Sequence, residues 1–142
     1  MIRMARIRFI ALAGSAAAVA VGLSGCDVIG IDPHRYDDVK AVVDRLALSS
    51  TGTITKEQYY GGGASGAPCY LALITGGDAY ERISGRLERV GFLTSDGAYW
   101  QWSSESGERV VSLNHEGPGD MFPMPNGDSY PVERAGAMVH VC

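Results

Sequence analysis

Three arginines and no acid occupy the first eight residues, Phe9 to Gly22 carries no charge, and Leu23-Ser24-Gly25-Cys26 follows. A basic start, an apolar core and a small-residue end are the layout of a secretory signal. The apolar run is shorter than the roughly 20 residues that cross a bilayer as a helix. It therefore reads as an export signal and not as a span. Removing residues 1–25 leaves 117 residues, room for one domain and one core.

Leu23-Ser24-Gly25-Cys26 resembles the lipobox of bacterial lipoproteins, with leucine, two small residues and cysteine in order. The resemblance covers residues 1–26 alone. It implies a diacylglyceryl thioether on Cys26, cleavage before it, and an acyl group on the new amino terminus. The implied location is the cell membrane, lipid-anchored on its extracytoplasmic side, with membrane lipid as the first partner. Two or three chains anchor stably, because each buried methylene contributes about 0.8 kcal/mol and one chain is marginal. Arg6-Ile7-Arg8 is not a paired arginine, which points to the general secretory route. Residues 26–33 would be the lipidated cysteine and a tether reaching about 25 Å, and residues 34–142 the domain.

All 16 acids but only 9 of the 12 bases lie beyond residue 25, so the mature chain carries −7 against −4 for the whole. Such a chain is repelled by nucleic acid and by anionic lipid headgroups; the charge serves solubility, or else draws in a basic envelope protein. Cys26 is reserved for lipid, which leaves Cys69 and Cys142 in an oxidising compartment, where a disulfide is expected. With no Cys-x-x-Cys and no close histidine partner for the cysteines, no metal site is expected. No cofactor motif is present.

Asp32-Pro33 has the form of an N-cap and first helical residue. Tyr36, Val39, Val42, Val43 and Leu46 then make a helical stripe within His34–Leu48. Thr53–Tyr60 is β-branched and aromatic, Gly61–Pro68 is a flexible loop, and the apolar run Cys69–Thr75 is a buried strand. Asp78 with Glu81 resembles a capping box, Tyr80, Ile83, Leu87 and Val90 share a helical face, and Gly91 ends the helix. Ala98–Ser103 and Glu108–Asn114 form a hairpin, with Trp100 and Trp102 inward and Tyr99 outward. Ala135–Cys142 is the last strand, pinned by the disulfide to the Cys69 strand or its neighbour. The expected fold is α+β, a mostly antiparallel sheet of about five strands with two helices on one face.

Catalytic motifs are scarce. His115-Glu116-Gly117 lacks the zinc-protease pattern, and no Gly-x-Ser-x-Gly surrounds Ser112. His34 falls in the first turn of the first helix, on its solvated surface, and His140 shares a strand face with Met138 and Cys142. The loop 117–131 places Met121, Phe122, Met124 and Tyr130 among prolines. It is either a stiffened binding surface or a proline-rich wrap covering the sheet edge. Two function classes follow. The first is a binding or interaction module at the envelope, for a basic protein or a glycan. Its subtype is an inhibitor or immunity protein against a basic toxin or lysozyme. The second is a small extracytoplasmic hydrolase using His115.

Overall fold

A computed structural model describes residues 32–63, 66–104 and 107–142. The signal stretch and Cys26 lie outside the described residues. The elements are α1 (Asp37–Leu46), a 3-10 turn (Leu48–Ser50), β1 (Thr53–Tyr60), β2 (Cys69–Thr75), α2 (Ala79–Arg89), β3 (Leu93–Thr94), β4 (Tyr99–Ser104), β5 (Gly107–Glu116), β6 (Met121–Pro123), β7 (Ser129–Pro131) and β8 (Gly136–Val141). Six strands form one antiparallel sheet in the order β1-β2-β8-β5-β4-β3, and β6 pairs with β7 in a separate hairpin. The fold is α+β as expected, with six strands in the main sheet where about five were expected. Leu93-Thr94 is too short to show alternation, and Pro123 and Pro131 end strands of three residues that each have a free edge, where proline is tolerated.

Both helices cover one face. Val39, Val42 and Leu46 of α1 and Ala79, Ile83 and Leu87 of α2 bury against Tyr70, Ala72, Ile74, Val111, Leu113, Val139 and Val141. Each valine, leucine or isoleucine side chain so placed contributes about 1.5–3 kcal/mol of transfer free energy. Trp100 is buried as expected, and its indole N–H donates to the Gly97 carbonyl at 3.1 Å. Trp102 packs at the rim beneath the Arg45 guanidinium, 5.0 Å from the ring centre.

Helix α1 starts later than Asp32-Pro33 suggested. The Asp32 carboxylate accepts the His34 N–H at 2.8 Å, and Arg35 and Asp37 donate to the Asp32 and His34 carbonyls. Those bonds close tight turns, and the first helical bond runs from Lys40 N–H to Tyr36 O. The helix ends at Leu46 because Ala47 takes a left-handed conformation, which returns Leu48 to the core. The capping box of α2 does not form: Asp78 accepts from Arg82 Nε at 2.7 Å and makes no side-chain cap. Gly91 does end α2. Its φ of +96° permits Phe92 N–H to reach Leu87 O and Gly91 N–H to reach Glu88 O, and Phe92 is buried. This is the Schellman pattern with its hydrophobic contact.

Candidate functional site

The second face of the sheet holds the features that carry chemistry. Strand alternation sends Leu71 and Leu73 of β2, and Met138 and His140 of β8, away from the helices. The β6–β7 hairpin covers part of this face, with Phe122 and Val132 packed on Leu71 and Leu73 and bordered by Tyr60, Met124 and Met138. An Asn126-Gly127-Asp128 turn closes the hairpin: Met124 N–H donates to Asp128 O at 2.7 Å and Asn126 Nδ2 to Asp128 Oδ2 at 2.8 Å.

The four residues of the proposed binding loop therefore separate. Phe122 is fully buried and cannot touch a partner while the hairpin is seated. Met121 is 57% exposed. Met124 and Tyr130 are half-buried, and Tyr130 lies under the Lys56 ammonium, 4.0 Å from the ring centre. Tyr130 and Lys56 line a groove of about 400 Å³ with Thr53, Thr55, Thr75, Glu133 and Arg134. The segment 117–131 covers the face of the sheet and not its edge.

Cys69 and Cys142 are disulfide-bonded across the ends of β2 and β8, with Cα atoms 4.3 Å apart. That spacing suits directly opposed residues on antiparallel strands at a pair without mutual backbone hydrogen bonds. His140 lies beside the bridge. Its Nε2 is 3.1 Å from Cys142 Sγ and shares a hydrogen bond with the Tyr60 hydroxyl, and the two rings stack at 5.8 Å. Burial holds the imidazole pKa below its ordinary value and pushes the Tyr60 phenol up.

Beyond the hairpin the same face is open. Tyr99 is 59% exposed and Leu93 78%, with Gln101 and Ser103 exposed beside them and Ser112 and Asn114 half-buried. Tyr99 pairs with Ser112, and Ser112 with His140, so this strip runs up to the disulfide end of β8. Leu93, Thr94, Ser95, Tyr99 and Gln101 enclose a shallow depression of about 290 Å³. The loop at its foot is ordered by Asp96, whose Oδ1 accepts Ala98 and Tyr99 N–H, both at 2.9 Å. These two backbone donors pull the carboxyl below its usual pKa.

His115 sits on the opposite side. It belongs with Val111 and Leu113 by alternation, and its ring stacks on Tyr80 of α2 with centroids 3.6 Å apart. Ser112 projects from the other face, so β5 separates the histidine from the serine a hydrolase would pair with it. Glu116 is half-buried, and burial together with Asp120 raises its pKa. Among the described residues, the His115 ring makes no side-chain hydrogen bond. Neither the Tyr60–His140 pair nor the open strip around Tyr99 and Gln101 was apparent from the sequence. A His-x-Cys spacing on a strand, with a period of two, was the available signal for the first. Comparison with protein-family models, curated proteins and solved structures found no significant match.

Proposed function

We propose that this chain is a lipoprotein, anchored through acylated Cys26 on the extracytoplasmic side of the cell membrane, that acts as a binding module. The observation supporting the binding role is the half-covered sheet face: an aromatic, hydroxyl and amide strip, flanked by Glu108 opposite Ser103, beside a hairpin that shields the rest. Tyr99 offers a large amphipathic contact at low entropic cost, and Gln101, Ser112 and Asn114 offer donors and acceptors. The partner is an envelope protein or glycan, and the net charge of −7 in the mature chain favours a basic protein. The hydrolase reading is weaker, because His115 and Ser112 lie on opposite faces.

Site-specific photo-crosslinking in intact cells tests this role. A photoreactive residue replaces Gln101, or Met121 at the hairpin rim, or Lys40 on α1 as a control. A discrete adduct at 101 or 121 that is absent at 40 is expected, and Tyr99→Ala should weaken it. Equal labelling at all three positions, or none at 101 and 121, refutes the assignment.

A further inference from the structure

We propose that Cys69, Cys142 and His140 form a redox-gated metal site, which takes up one thiophilic cation, zinc(II) or copper(I), when the disulfide is reduced and expels it when the bridge re-forms. The two sulfurs and one imidazole nitrogen all lie within 4.8 Å of one another. They converge because of the sheet. Cys69 stands opposite Cys142 at the end of a ladder running from Tyr70↔Val141 to Thr75↔Gly136, and the period of two returns His140 to the same face as Cys142. That ladder is itself flanked by β1 and β5, so the backbone positions of the donors do not depend on the sulfur–sulfur bond alone.

The donor set has the right chemistry. Two thiolates and an imidazole favour zinc or copper(I) over magnesium or calcium, which prefer oxygen. Tetrahedral zinc holds sulfur at about 2.3 Å, which needs the sulfurs about 3.8 Å apart. Cross-strand cysteines with Cα atoms 4.3 Å apart reach that spacing by rotating χ1 once the bond is broken. A metal ligand must be a neutral imidazole, and binding therefore strengthens as pH rises. The ring nitrogen nearest the sulfurs is the one that meets the Tyr60 hydroxyl, so metal and tyrosine compete for it.

The cycle balances with an extracytoplasmic dithiol as reductant. One of its thiolates attacks a sulfur of the bridge, its second thiol resolves the mixed disulfide, and two electrons and two protons pass to Cys69 and Cys142. Binding M²⁺ then releases the two thiol protons, as does binding copper(I), which leaves a complex one unit more negative. A protein disulfide, as two-electron oxidant, takes the two thiolates' electrons, leaves as a dithiol, restores the bridge and frees the ion.

The mature chain, extracted from membranes in detergent with Cys26 acylated, reduced and freed of reductant without oxygen, is titrated with cobalt(II), with zinc(II) and with copper(I) against a chromophoric chelator. One equivalent per reduced chain is expected, with thiolate-to-cobalt charge transfer and tetrahedral d–d bands, while the oxidised chain binds none. Loss of a second-sphere partner typically costs 10–100-fold in affinity, so loss of a direct ligand in His140→Gln should weaken binding at least about tenfold. Tyr60→Phe should bind equally or more tightly. Amide exchange on the same reduced samples reports the β2–β8 pairing. Binding by the reduced chain no stronger than in the Cys69→Ser/Cys142→Ser variant overturns the proposal. So does equal affinity in His140→Gln, whether or not the reduced sheet is intact, because the thiols would then bind without the assembled site.

Discussion

Phe122 tests the hairpin's role most sharply, because its neighbour Met121 is an internal control. Strand alternation buries Phe122 completely on Leu71 and Leu73 and leaves Met121 57% exposed. A Phe→Ala change in a packed site costs about 3–5 kcal/mol, a transfer loss plus a cavity. A two-stranded hairpin is marginal on its own, and β6 and β7 have three residues each. The loss should therefore appear first as detachment of the hairpin. Hydrogen exchange reads it at amides bonded only within this segment: Met124 to Asp128 O, Val132 to Asp120 O and Gly119 to Val132 O. In Phe122→Ala their protection should fall at least about a hundredfold, since 1.4 kcal/mol is a factor of ten. Ala72 and Val139, inside the main sheet, should lose less. Phe122→Leu should cost under about 1.5 kcal/mol, and Met121→Ala should stay within about 0.5 kcal/mol. Equal protection loss in the Met121 and Phe122 variants, or none in either, would refute the packing argument.

Three further outcomes follow. Replacing both Cys69 and Cys142 with alanine releases a closure spanning 73 residues and should lower stability by about 4 kcal/mol on the chain-entropy model; a urea midpoint unchanged from the oxidised protein would contradict it. Gly136→Ala should cost about 3 kcal/mol or prevent folding, because a Cβ there meets the Ile74 carbonyl and the Thr75 backbone; a thermal midpoint equal to wild type counts against the β2–β8 register. The Asp96 carboxyl should titrate below its ordinary value, so its contribution is fully present above the unfolded pKa and is lost as pH falls through the lower folded one. An NMR titration of Asp96 at or above the ordinary value would be the contrary result.

The parts legible in the sequence are those where local pattern and tertiary packing agree. The apolar run Cys69–Thr75 is a strand covered on both faces, Tyr70, Ala72 and Ile74 by helices and Leu71 and Leu73 by the hairpin. Trp100 is inward and Tyr99 outward because alternation survives in β4. Illegible were features decided by competition between hydrogen bonds. Asp32 had a cap's identity but satisfies turn amides, and Asp78 had a capping-box spacing but pairs with Arg82. Segment 117–131 misled through its prolines, which mark irregular chain in general yet are admissible on the free edges of β6 and β7. The site was legible only residue by residue. His140 was placed on the face of Met138 and Cys142, but its contact with Tyr60 depends on pairing β1 with β2 and β2 with β8, across 80 residues of sequence.

The central claim is that Cys26 anchors this domain to the membrane. Mass spectrometry of the protein extracted from membranes with detergent tests it at the amino-terminal peptide. The account predicts that the mature chain begins at Cys26, bearing a diacylglyceryl thioether, and that Cys26→Ser abolishes both the lipid mass and incorporation of a fatty-acid probe. A chain that begins at Met1, or at Cys26 with an unmodified thiol, would contradict it.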